Sequence, residues 1–295
     1  VMARALTREG ARVAICSRDE QKLERAVLDL TQAGAAPLAS VTDIADAEQV
    51  RDMVGRIERT LGPVDVLINN AGVIMVGPYS TMTREDYEEA LRISFWGAFN
   101  TIEAVLPSMR VRRAGRIVNI SSIGGKVGVP HLVPYCVGKF ALTGYSQALR
   151  PELANEGILL TAIAPGLMRT GSPRNARFKG KHDAEYAWFK LSDSLPLLTI
   201  SAEQAAQEII EACRRGDPEH VISTPAKLAV VMNAVLPDFT ANLIALANRL
   251  LPRDEQGTPD AKFGRDCQLA AALTPLTALT DRAAERNNEV DPEEL

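Results

Sequence analysis

Six short apolar runs recur along the chain, each separated from the next by a longer amphipathic segment. They are ARVAIC (11–16), AAPLAS (35–40), VDVLIN (64–69), GRIVNIS (115–121), ILLTAIA (158–164) and HVIS (220–223). Several are continuously apolar rather than alternating, which is the pattern of strands buried on both faces. The segments between them carry helical periodicity near 19–33, 46–61, 84–113, 134–156 and 201–215. Strand and helix alternating this often predict an α/β fold: a doubly wound parallel sheet with helices on both faces in three layers, joined by right-handed crossovers. The 295 residues suffice for one large domain.

Composition narrows the function classes. A net charge of −4 argues against nucleic acid, which calls for a basic footprint. Cys16, Cys136, Cys213 and Cys267 are scattered, and His131, His182 and His220 form no cluster, so neither a metal site nor a disulfide framework is predicted. Reduced thiols and a cytoplasmic setting follow. Residues 1–225 read as the catalytic domain, with 167–200 as a loop or small insert, 226–252 as a helical extension and 253–295 as a tail whose last dozen residues are disordered. The segment 226–251 is helical but broken at Pro237-Asp238, and each half is too short to span a bilayer. Packing on the domain or on a second subunit is the favoured reading of it. Membrane-surface contact is the minority one, because few Lys or Arg are present to meet headgroups.

Three strand ends carry unusual residues. NNAG (Asn69 to Gly72) follows VDVLI, Ser121 and Ser122 follow GRIVNI, and PGLMRT (Pro165 to Thr170) follows ILLTAIA. Ligands bind at the carboxyl ends of strands in open α/β sheets, so three polar or Gly/Pro clusters at such ends suggest one shared site. Next comes YCVGKF, in which Tyr135 and Lys139 stand four apart and share a helix face. A second such pair, Tyr186 and Lys190 in YAWFK, lacks a preceding strand end and reads as a surface helix face.

NNAG, Ser122, YCVGK and PGLMRT, in this order and spacing, resemble the short-chain dehydrogenase/reductase family from Val1 to about Thr170, with the segments near 201–223 completing the core. The resemblance implies a Rossmann-type fold and an oxidoreductase moving a hydride between NADP(H) and a carbonyl or secondary alcohol. Tyr135 would be the general acid/base, Lys139 would also hold the nicotinamide ribose, and Ser122 would polarise the carbonyl. The physics agrees. A free Tyr titrates near ~10, and one cation ~5 Å away at an effective dielectric of ~20 contributes ~3 kcal/mol, about two pKa units. Lys139 is thus expected to draw Tyr135 toward the working range, while Ser122 donates where negative charge develops. One position departs from the family pattern: ISFWG places Ser94 where an Asn usually helps hold a proton-relay water. Asn100, six positions on, lies off that face.

The end of the second strand of such a fold meets the adenosine ribose. Here AICSRD puts Ser17 in the place of the usual acid and Arg18 after it, which favours NADP over NAD because an Arg pairs with a phosphate. The alternative is a solvated Arg18 beside an Asp19 helix cap. By resemblance, Asp43 accepts from the adenine amino group, and Asn69, Ala71 and Gly72 line the adenosine side. Thr170 reaches the nicotinamide carboxamide, with Pro165 and Gly166 turning the chain beneath it. Met168, Phe178, Trp188 and Phe189 are expected to wall a pocket for a fairly hydrophobic small-molecule substrate. The helices at 84–113 and 134–156 imply a homo-oligomer, again by resemblance. Two other readings remain: a non-catalytic cofactor-binding scaffold, and a membrane-associated lipid or steroid reductase. In the family a first strand and a turn of the form T-G-x-x-x-G-x-G lead into the helix that opens here at Val1, and no such turn occurs in the sequence. A missing first strand is expected to leave two inner strands with open edges, and the chain as written to bind NADP(H) poorly.

Overall fold

The computed structural model describes residues 1–34, 36–195, 198–253, 260–268 and 274–290, the side chains of 274–276 excepted. Ala35, part of the second predicted run, and parts of the predicted insert and tail, including 291–295, lie outside the described residues. The strands are β1 (Ala14–Ser17), β2 (Leu38–Val41), β3 (Val66–Asn69), β4 (Met75–Val76), β5 (Gly115–Ile120), β6 (Ile158–Pro165), β7 (Met168–Arg169), β8 (Arg177–Lys179), β9 (Ile200–Ser201), β10 (Glu219–Ile222) and β11 (Ala261–Phe263). The six runs read from sequence correspond to β1, β2, β3, β5, β6 and β10 within a few residues.

Those six strands form two parallel sheets. One runs β10-β6-β5-β3, and the other is the pair β1-β2. Among the described residues β3 pairs only with β5 and β1 only with β2, so each has one unpaired edge. Burial follows pairing. β6 is buried almost throughout, and the last four residues of β5 are fully inside. β1 and β3 have no buried residue.

Alternate residues of the larger sheet feed two cores. Leu67, Ile117 and Leu160 lie in register on one face, against Val50, Met53 and Val54 of the Ala47–Leu61 helix and Ile102, Leu106 and Met109 of the Gly97–Arg112 helix. Ile68 and Val118 face the other way, toward Ala205, Ile209 and Ala212 of the Ala202–Arg215 helix. This is the three-layer α/β/α arrangement expected. Local signals fix the helix starts: Asp46 accepts from Glu48 and Gln49 N–H groups, and Ser201 and Gln204 form a capping box.

The predicted helix 84–113 is one helical run interrupted by a π turn. Arg84–Leu91 and Gly97–Arg112 are α-helical and Arg92–Trp96 is π, with Ser94 buried inside it. The insert corrects the sequence reading. Tyr186 and Lys190, read as a surface face, are buried on the His182–Ser192 helix. That helix packs on a small sheet ordered β11-β8-β4, where Phe178, Tyr186 and Phe189 stack edge to face. Lys190 pairs with Asp281 at 2.8 Å. The expected disordered end also differs: a Thr274–Arg286 helix runs into it, and Ala283 and Ala284 are buried. The helical extension is a hairpin, Thr224–Val235 and Pro237–Asn248, broken at Pro237 as predicted. Among the described residues no helix is long and apolar enough to cross a membrane.

Candidate active site

Ser122, Tyr135 and Lys139 meet at the carboxyl end of β5. Ser122 begins a short turn at Ile123–Gly125, and its Oγ accepts from the Gly124 N–H at 3.0 Å, leaving its own proton free to donate. The Val133–Asn155 helix starts with Pro134, a residue pre-set for a first helical turn, and brings Tyr135 and Lys139 over the strand end. Lys139 Nζ donates to the Ile120 carbonyl at 2.8 Å and lies 5.8 Å from the centre of the Tyr135 ring. Tyr135 is hydrogen-bonded to Ser122. NNAG joins from the end of β3: a Cβ on Gly72 would stand 3.3 Å from Lys139 Nζ, so glycine there lets the backbone approach the ammonium. Thus Ser122, Tyr135, Lys139 and Gly72 are brought together.

A supporting network that the motifs did not reveal holds this geometry. Ser121 Oγ is 2.6 Å from Thr143 Oγ1 and 3.0 Å from the Lys139 carbonyl, which ties the helix to the strand end. Gly125 sits against the same three groups, where any Cβ would collide with the Lys139 carbonyl and Thr143 Oγ1. Gly138 of YCVGK packs on the π turn, where a Cβ would lie 3.2 Å from Ser94 Cβ. Ser94 is therefore adjacent to the Tyr135–Lys139 helix, while Asn100 donates to the Ile44 carbonyl at 3.0 Å, away from it.

The electrostatics correct one expectation. Burial pushes the Tyr135 phenol up to about 12, the hydrogen bond from Ser122 pulls against this, and Cys136 and Asp193 add to the rise. Burial brings Lys139 down to about 8 and raises the Asp193 carboxyl to about 8. Removal from water sets the phenol, and the influence opposing it is the Ser122 hydrogen bond rather than the Lys139 charge. The site thus holds a protonated phenol next to a lysine that loses its charge just above neutral pH.

The second half of the site is a cleft of about 780 Å³ running from Ser17, Arg18 and Lys22 to Gly72 and Ser172. Ser17 Oγ accepts from the Asp19 N–H at 3.1 Å, and Asp19 caps the next helix through Lys22 N–H at 3.0 Å. Arg18 is exposed on the cleft wall, which Lys22, Arg177 and Arg265 also line. Asp43 is engaged by Arg92 at 2.8 Å and by the Ala45 N–H at 3.0 Å. Burial works to raise its carboxyl, and these bonds together hold it below the usual range. The Asn69 side chain turns inward. Its amide donates to fully buried Asn119 at 2.9 Å and it accepts from Thr101 at 2.6 Å, while Asn119 donates to Ser146. Asn70, Ala71 and Gly72 are the exposed residues of this stretch. Thr170 Oγ1 bonds Ser172 at 2.8 Å. Gly166 lies under the start of the hairpin, where a Cβ would touch Ser223 Oγ and Ala226. Of the expected wall, Phe178 and Phe189 are instead buried in the core of the insert, while Trp188 and Met168 are partly buried. Phe263, Arg265 and Glu289, from beyond Pro252, line the cleft instead, and no sequence signal marked them.

Comparison with known proteins bears on the family and the fold. The short chain dehydrogenase family model matches residues 1–179. A Streptomyces coelicolor protein assigned as a ketoacyl reductase is 35% identical over 178 residues, covering 60% of this chain and 68% of that protein. A short-chain dehydrogenase structure from Streptomyces avermitilis superposes with a TM-score of 0.70 at 25% identity, covering 84% of this chain and 91% of that one. The structure of a gluconate 5-dehydrogenase from Burkholderia cenocepacia, in complex with NADP and tartrate, gives 0.66 at 25% identity, covering 77% and 89%. The chain belongs to the short-chain dehydrogenase family, a family of NAD(P)-dependent oxidoreductases.

Proposed function

We propose that this protein interconverts a carbonyl and a secondary alcohol with NADP(H), with Tyr135 as the proton donor. The observation that carries the reading is the convergence of buried Ser122 and Lys139 with Tyr135 and Gly72 at adjoining strand ends. A cofactor-binding scaffold has no use for a desolvated phenol hydrogen-bonded to a serine at a strand end.

The residues fit a nicotinamide dinucleotide. The cleft reaches from Arg18 to Gly72, it abuts the Lys139 ammonium, and a carboxylate already sits in it as a stand-in anion, that of Glu289. Arg18 would meet a ribose phosphate, Asp43 and Ala71 the adenosine end, and Lys139, Gly166 and Thr170 the nicotinamide end, with Pro165 setting the turn. Bound there, NADPH supplies the hydride. The chain supplies the rest. The Ser122 hydroxyl donates to the substrate oxygen where negative charge accumulates. Tyr135 Oη delivers the proton, and a phenol near 12 is fully protonated for that task at neutral pH. The Lys139 ammonium stabilises the phenolate left behind. Screening NADPH oxidation over ketones, ketoacyl thioesters, steroids and sugars tests the reading. Tyr135→Phe is expected to lower kcat by ~10²- to 10⁴-fold with NADPH affinity nearly unchanged; retained turnover would overturn the assignment.

Exposed Trp96, Val137 and Phe140, on the π turn and the Val133–Asn155 helix, support a homo-oligomer. A second reading, a reductase working at a lipid surface, rests on the hairpin. Leu228, Val231, Val235, Phe239, Leu243 and Leu246 are all exposed there, next to Gly166. Flotation with liposomes separates the two: full activity with no flotation removes the lipid reading.

A further inference from the structure

The C-terminal segment places a carboxylate inside the cofactor cleft. Glu289 lines the same cavity as Arg18, Lys22 and Gly72. Burial raises its carboxyl above the usual range, while the hydrogen bond it accepts from the Gly171 N–H, the Val1 amino group and the Lys22 ammonium pull the other way. The contact is close: a Cβ on Gly171 would fall 2.6 Å from both Cβ and Oε2 of Glu289. Gly171 directly follows Thr170, at the end proposed for the nicotinamide.

The segment is held there by construction. The Thr274–Arg286 helix docks through Asp281 to Lys190 at 2.8 Å and through Thr280 to Ser194 at 2.6 Å. Beyond Arg286 the chain closes a Schellman cap. Asn288 is left-handed at φ 62, its N–H donates to Glu285 at 3.3 Å, and the Glu289 N–H donates to Ala284 at 3.0 Å. Arg4 clamps the turn by donating to the Arg286 carbonyl at 3.2 Å and to Asn287 Oδ1 at 2.8 Å. The cap aims the next side chain, Glu289, at Gly171. A polar tail that merely lay on the surface would need neither the left-handed turn nor the clamp.

Resting on the NADP(H) reading above, we propose that Glu289 is an autoinhibitory strap: its carboxylate holds the Gly171 donor and the neighbourhood of Lys22 against the anionic groups of the dinucleotide, and it leaves when the cofactor binds. Apparent affinity then falls by the fraction of molecules in which the strap is closed. A strap closed about nine-tenths of the time weakens binding by about tenfold.

NADPH titrations of the full chain and of Glu289→Gln, which keeps the shape and removes the charge, test this. Hydrogen exchange at residues 284–290 is followed in parallel. The expected result is roughly five- to tenfold tighter NADPH binding by Glu289→Gln, with faster exchange at Glu289 N–H when the unsubstituted chain is saturated. A chain ending at Asn287 should reproduce the gain, so that a mere packing defect in one variant does not decide the matter. Equal or weaker binding by both variants, with exchange unchanged on saturation, overturns the strap and leaves the cofactor reading standing. Absence of NADPH binding by any of the three chains overturns both.

Discussion

The two halves of the cleft are built differently. The proton-transfer half stands on β5 and β6, each paired on both sides, and its polar groups are tied into closed networks: Ser121 with Thr143 and the Lys139 carbonyl, and Asn119 with Asn69 and Ser146. The cofactor-facing half stands on β1 and β3, each paired on one side, with no buried strand residue and its anion position held by a residue from the far end of the chain. Buried polar groups in the first half are fully satisfied, which fixes a single geometry. The second half has unused backbone edges and exposed charges, which bind according to what is offered. Changes in the first half should therefore move kcat, and changes in the second should move cofactor affinity.

Three experiments break or sharpen that division. The largest effect is expected at the unpaired edges of β1 and β3. A strand and a glycine-rich turn fused ahead of Val1 should tighten NADPH binding more than any point substitution, because parallel strands are normally paired and buried on both sides. Unchanged affinity would show the open edges to be irrelevant to the cleft. Next, Arg18→Ala should lower the ratio of NADPH to NADH affinity by about tenfold, the worth of roughly one charge-assisted hydrogen bond. A ratio that stays put would make Arg18 a solvated charge. Ser94→Asn, in the π turn against Gly138, should change kcat by about twofold or less, since Ser94 is buried beside the catalytic helix with little room. A large gain would show that a relay had been waiting for its amide.

How much of this was legible beforehand follows the same division. Strand ends and helix limits were readable because the apolar runs are continuous and the caps local: Asp19, Asp46 and Ser201 stop or start helices by bonding their own neighbours. The site in YCVGK was readable because four residues make one helical turn. Three features were not. The burial of Tyr186 depends on Phe178 and the small insert core, and that of Lys190 on Asp281, far along the chain. The inward turn of Asn69 depends on Thr101 and Asn119. The raised phenol depends on desolvation, a property of the packed site that no spacing encodes. Periodicity reports what an element buries, and says little about what distant segments bury on top of it.

The pH dependence of carbonyl reduction tests the proton-transfer half most directly. With Tyr135 held up to about 12, the phenol keeps its proton across the accessible range, while Lys139, lowered to about 8, loses its charge and Asp193, raised to about 8, gains one that holds the phenol proton more tightly still. Reduction at saturating NADPH should be level below about 8 and fall as pH rises through that value. Lys139→Arg should carry the fall to higher pH. A rate that stays level to pH ~10, the ordinary lysine range, or that rises through neutrality, would contradict Tyr135 and Lys139 as a buried donor and its charge partner.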